Sequence, residues 1–298
     1  MRGQMPRSRG SMLVVVLFLA GLLGVFAAVA ATVMRAAADV SRSFAEALRA
    51  EEAFRGSIER IVAQTGSSIA SAQGTAVFVE GQTQITITVR DETSRTDLNF
   101  ASVDLLAGIF RQVGVAAEDA AVYAARVVDW RDEDDKPGPG GAERNAYRAL
   151  GRVDGPHNAP FIHVAELSLV LGIPQRVAAA VAPYVTVAGG HEQINPLLAD
   201  PPVLLALPGT SEQRVRDFMD QRKSATVPFE TLILRLGPVQ DFVTEEKGSA
   251  ARFEARVRLG VNNERRFEAV VAVFEGDSEP FRIIAWDANP PERIRALP

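Results

Sequence analysis

The richest chemistry in this 298-residue chain lies in the stretch DWRDEDDKPGPGGAE, residues 129–143. Asp129, Asp132, Glu133, Asp134 and Asp135 crowd one end, and Glu143 closes it after a run of prolines and glycines. Carboxylates on a sharply turning chain suit a hard cation, and calcium takes about six to eight oxygen ligands of this kind. As an EF-hand the stretch fails. With Asp132, Asp134 and Glu143 at the first, third and twelfth places, Lys136 holds the fifth and Pro137 stands where glycine must turn. An irregular calcium loop survives that test: Asp129 and Asp132 are one helical turn apart, and the Pro/Gly segment lets Glu143 fold back towards them. A solvated acidic loop is the competing reading, and residue types alone leave the two open.

Other chemistry is poorly supported. A pair of carboxylates can hydrolyse a glycoside, but carboxylates this crowded repel one another unless a cation stands between them. The three histidines, His157, His163 and His191, occupy no metal spacing and flank no nucleophile motif. The chain is therefore not read as an enzyme. Leu207-Pro208-Gly209 before residues 211–223 has the form of a helix-hairpin-helix turn, which in nucleic-acid proteins presents backbone amides to phosphate. Its flanks mix Glu212, Arg214, Arg216, Asp217 and Asp220, so it is read as structural. A net charge of −5 argues against a nucleic-acid partner, which needs a clustered basic face. The chain has no cysteine, which excludes disulfides and thiolate metal sites.

The elements that must position these carboxylates begin at a basic, acid-free N-terminus with Arg2, Arg7 and Arg9. Met12 to Met34 carries no charge; as a helix it reaches roughly 35 Å, enough for a hydrocarbon core of about 30 Å. Basic residues before the span favour a cytoplasmic N-terminus, with the remainder beyond the membrane. A cleaved signal peptide ending at Ala28-Val29-Ala30 is the alternative, and would make this an exported calcium-binding interaction protein. The apolar run continues past that triplet without a breaker, so a retained anchor is expected. Phe44, Leu48, Phe54, Ile58 and Ile61 extend it as an amphipathic helix. TAVFVE (75–80) and TQITITVR (83–90) alternate as a hairpin. Helical spacing then holds from about Thr96 to Arg222, with helices over 163–172, 174–185, 201–209 and 211–223 punctuated by Pro and Gly. Strands return from Phe253 to the end. Similar strands on both sides of a helical block imply one α/β domain with a helical domain inserted.

Three segments carry a family resemblance: RG followed by SMLVVVLFLAGLL; VVDWRDEDDKPGPGGAERNAY; and NAPFIHVAELSLVLGI followed by INPLLADPPVLLALPG. Together they resemble the K-type minor pseudopilin of bacterial type II secretion systems. The resemblance implies an α+β, pilin-like fold, a long transmembrane and amphipathic helix plus an antiparallel sheet, with a large inserted all-α domain. It divides the chain into a prepilin leader (1–10), a transmembrane helix (11–34), a first pilin-like part (35–95), the inserted domain (96–223) and C-terminal strands (224–298). Prepilin peptidase would cut between Gly10 and Ser11. Val15 stands where most pilins have glutamate, as in the K type. The resemblance further implies a structural calcium ion on Asp129, Asp132, Asp134 and Glu143. Arg144 and Asn145 replace acids that many members carry just after this stretch. The implied role is a non-enzymatic subunit at the tip of the pseudopilus, needed for its initiation and for secretion across the outer membrane. Its implied partners are the I- and J-type minor pseudopilins, with exported substrates and the outer-membrane secretin as further contacts. The implied location is the inner membrane, single-pass, with the C-terminal domain in the periplasm.

Overall fold

A computed structural model describes residues 9–65, 69–153, 155–223, 227–260, 263–274 and 279–290. Residues 1–8 of the expected leader lie outside the described residues, while Gly10 and Ser11 fall in the first turn of helix α1 (Arg9–Thr65). The chain divides into two units, Met1–Ala53 and Phe54–Pro298, with the boundary inside α1. In the first unit α1 has an apolar window of mean hydropathy 2.9, none of it buried, and is long enough to cross a membrane. The helix runs through Ala28-Val29-Ala30 without a break. Its expected apolar face divides in two: Phe44 and Leu48 stay exposed, whereas Phe54, Ile58 and Ile61 are buried.

In the second unit the last turns of α1 meet a five-stranded sheet. Strands β1 (Gly74–Glu80) and β2 (Thr83–Asp91) form the expected hairpin around Gly81, whose φ of 60° suits glycine. The two-residue strand β3 (Thr96–Asp97) opens the helical body. There follow α2 (Val103–Gln112), α3 (Ala117–Arg131), α4 (Arg144–Ala149) and α5 (Gln175–Val181), then β4 (Val185–Thr186), which pairs with β3. Helices α6 (Pro201–Leu205), α7 (Glu212–Arg222) and α8 (Phe229–Ile233) complete that body. The chain returns to the sheet as β5 (Ala250–Leu259), β6 (Glu264–Ala272) and β7 (Arg282–Asp287). The strand order is β1-β2-β5-β6-β7, antiparallel throughout. The helical body is thus inserted between two strands that are neighbours at the centre of the sheet.

Period-2 alternation decides which face of the sheet is dry. The pairs Ile85↔Val257, Ile87↔Ala255 and Val89↔Phe253 put buried side chains on one face. Phe54 of α1 packs there, its ring centroid 5.4 Å from Phe267 and 5.0 Å from Trp286. The helical body has its own core, continuous from Leu98 to Val243. It therefore runs past residue 223, where the sequence pattern ends. Leu232, Ile233, Leu236 and Val239 are buried in it, but α8 is too short to show a helical period. Likewise, a 3-10 turn over Val164–Leu169 forms where a helix over 163–172 was expected; Gly172 at φ 79° and Pro174 leave it no room to grow.

A buried ion network joins the sheet to the helical body. Glu92, just beyond β2, is fully buried. Arg252 of β5 grips its two oxygens at 2.8 and 2.9 Å, the Thr186 hydroxyl of β4 donates to it, and Arg95 lies 3.9 Å away. Arg252 also donates to Glu268 of β6. Burial alone would raise the Glu92 pKa, but the charges of Arg252 and then Arg95 outweigh it and hold the carboxyl at about 2. At the rim, Arg90 pairs with Asp200 at 3.0 Å.

Candidate cation site

Asp129 sits in the last turn of α3, Asp132 caps that helix, and Glu143 is the N-cap of α4. A helix C-terminus is the negative end of the backbone dipole, so acids there lack natural support. Arg131 is the obvious counter-charge, but its guanidinium turns away and donates to the carbonyls of Leu98 and Ala101. The glycine-rich loop then brings the chain back. Gly141 N–H donates to Gly138 O at 2.9 Å, tightening the turn, and Gly138 N–H donates to both Asp129 oxygens at 3.3 Å. A side chain at Gly141 would collide with the Asp129 carboxylate, so the glycine is required for this close approach.

The result is a cradle of three carboxylates. Asp129, Asp132 and Glu143 each offer an oxygen within 4.8 Å of the others. Oxygens on opposite sides of a calcium ion stand about 4.6–5.2 Å apart, so one ion can touch all three. Asp129 and Glu143 are buried, at 3% and 4% exposure. Neither oxygen of Glu143 has a hydrogen-bond partner, nor does the buried Oδ1 of Asp132. Carboxylate oxygens without partners are costly to bury, and a hard divalent cation supplies what they lack. The donor set is all oxygen, which suits calcium, magnesium or manganese rather than a softer metal.

The electrostatics agree. Burial raises the Asp129 carboxyl, against the N–H groups of Gly138 and Ala142. Burial and then the neighbouring Asp129 and Asp134 raise Asp132. Glu143 is pushed up to about 7, by burial first and then by Asp129, Asp132, Asp135 and Asp134. Below the loop lies an aromatic floor: the Trp130 ring is 4.7 Å from His157, 5.9 Å from Phe161 and 6.2 Å from Tyr147.

Asp134, the fourth expected ligand, stands outside the cradle. Its exposed carboxylate accepts the Lys136 N–H at 2.7 Å. Its main-chain carbonyl accepts a 2.6 Å hydrogen bond from Asn158. Sequence reasoning assigns no role to Asn158. It does open the NAPF segment of the resemblance, and asparagine is among the few residues that tolerate positive φ; Asn158 adopts φ 49°.

The cradle lies inside a recognisable stretch. Residues 88–190 match the family model described as type II secretion system (T2SS), protein K. No curated protein sequence matches the chain. Among solved structures, the chain is similar to one from "The Crystal Structure of the GspK-GspI-GspJ complex from enterotoxigenic Escherichia coli Type 2 Secretion System". The two are 17% identical, with a TM-score of 0.56, over 84% of this chain and 98% of that one. At that identity the likeness establishes a shared fold: a pilin-like α+β architecture with a long apolar N-terminal helix. A stretch of the helical domain is thus similar to protein K of type II secretion, and the fold of the chain agrees with that likeness.

Proposed function

We propose that this chain is a non-enzymatic assembly subunit at the tip of the type II pseudopilus, held by α1 in the inner membrane before assembly, with its globular part in the periplasm. The family match over the helical body carries the reading. Three further features support it. Helix α1 is uninterrupted where a signal peptide would be cut. Phe44 and Leu48 offer an exposed apolar surface on that helix, of the kind that packs against the helices of I- and J-type minor pseudopilins. The helical body inserted between β2 and β5 would obstruct a further subunit stacking above, which suits a terminal position. Co-purification of the full-length chain with candidate I- and J-type subunits tests the assembly role; a chain that captures neither under assembly conditions sinks it. Mass spectrometry of the membrane-purified protein tests the anchor. A start at Ser11 is expected, and a start after Ala30 refutes it.

Calcium in this reading is a structural staple on Asp129, Asp132 and Glu143, supported by their unpartnered buried oxygens. The ion would neutralise the crowded carboxylates and clasp the end of α3 to the start of α4. Saturation at 100 times Kd stabilises a folded state by about 2.7 kcal/mol, roughly 5–10 °C in Tm for a domain of this size. Thermal unfolding of the full-length protein in detergent, with calcium or chelator, measures it; an unchanged midpoint excludes the staple.

A further inference from the structure

We propose that Asn158 is a strut through which the occupied cation site sets the wall of a cleft of about 510 Å³, an inference that rests on reading Asp129, Asp132 and Glu143 as ion ligands. The cleft lies between the sheet, at Arg252 and Trp286, and the segment Phe161–Ala165. That wall segment has little regular structure of its own. Asn99 holds Phe161 with two hydrogen bonds of 2.6 and 3.0 Å, and Glu166 accepts the N–H groups of Ile162 and His163 at 3.0 and 2.8 Å.

Its other attachment is to the acidic loop. The Asn158 main-chain N–H donates to the carbonyl of Trp130 at 3.1 Å, and its side-chain amide donates to the carbonyl of Asp134 at 2.6 Å. One residue thus bonds the main chain on both sides of Asp132. The His157 and Phe161 rings, on either side of Asn158, both lie against Trp130. Asn158 is the only non-glycine residue with positive φ among the described residues, a conformation that asparagine tolerates and that these bonds hold in place. With no ion, three carboxylates this close relax by separating. The Asp134 carbonyl moves with the loop, and Asn158 passes the displacement to the wall three residues on. With an ion, loop, strut and wall move as one body. The cation therefore selects the shape of the cleft as well as stapling two helices, the two-state coupling that a shared rigid element provides.

Hydrogen exchange on the full-length chain in detergent tests this, with calcium chloride or chelator as the only variable. Calcium is expected to slow exchange across residues 157–168 by about tenfold, most clearly at Ile162, His163 and Ala165. Asn158→Gly tolerates the positive φ and deletes the amide; it should keep the calcium-dependent rise in Tm and lose most of the slowing. Asn158→Asp keeps the size and removes the donor, and should behave alike if the glycine variant folds poorly. Two results overturn the strut: no slowing in the wild-type protein although Tm rises, or full slowing in both variants. If calcium leaves the wild-type Tm unchanged, the cation reading itself fails and the strut with it.

Discussion

Removing the Glu92 carboxylate should loosen the helical body from the sheet, and the size of the effect can be worked from the buried network. In Glu92→Ala, Arg252 keeps Glu268 but loses the bidentate partner that neutralises most of its charge. Breaking one side of a buried ion pair costs about 3–5 kcal/mol; the surviving Glu268 contact places this variant near the lower end. The titration of Glu92 gives an independent figure. At about 1.4 kcal/mol for each tenfold change in proton affinity, holding the carboxyl at about 2 instead of 4.5 is worth roughly 3 kcal/mol. Because the folded pKa is depressed, this stability is present above pH 4.5 and is lost as pH falls towards 2. Thermal unfolding at pH 7 should show Glu92→Ala lowered by roughly 6–12 °C, at about 2–4 °C per kcal/mol. The wild-type advantage should shrink between pH 4.5 and 2. A combined replacement of Glu92 and Arg252 by apolar residues should recover part of the loss, since the two paired charges leave together while Arg95 and Glu268 stay. A loss under about 1 kcal/mol, or an advantage independent of pH in that window, would refute the view that this network binds the sheet to the helical body.

Three further outcomes follow from the site and its frame. Glu143, raised to about 7, contributes stability that is complete below its ordinary value of 4.5 and fades as pH rises through 7. Chelated protein should therefore lose Tm between pH 5 and 8, and both calcium and Glu143→Gln should flatten that slope. Gly141→Ala drives a methyl group into the Asp129 carboxylate and should remove most of the calcium-dependent rise in Tm, read by the same melting assay. Gly108→Ala in α2 would place a methyl group against the Ala206 backbone, 2.8 Å from its carbonyl carbon and 3.0 Å from its Cα. Backbone yields poorly, so denaturant unfolding should show a loss of about 3 kcal/mol, swamping the gain of about 1 kcal/mol in helix propensity.

Local pattern carried much of this protein. An uncharged run from Met12 to Met34 can only be one long apolar helix. Thr/Ile alternation in β2 and Arg/apolar alternation in β5 state which face of each strand is dry, because successive side chains point to opposite faces. Asp129, Asp132 and a glycine-rich return to Glu143 were legible as a possible ligand set, since three-residue helical spacing and turn chemistry are local properties. What the spacing could not state is which of five neighbouring acids face inward. Asp134 turned out to cap its own turn, and Glu143 was buried with both oxygens unpartnered, because the course of the loop from α3 to α4 settles those directions. Glu92 and Arg252 stand 160 positions apart, and no local period relates them. Asn158 opens the NAPF segment of the family resemblance, but nothing local says what its side chain binds. Only the fold, by bringing β2 beside β5 and residue 158 beneath the acidic loop, gives those side chains partners, because a buried charge or amide takes its role from whatever the rest of the chain places within about 3 Å of it.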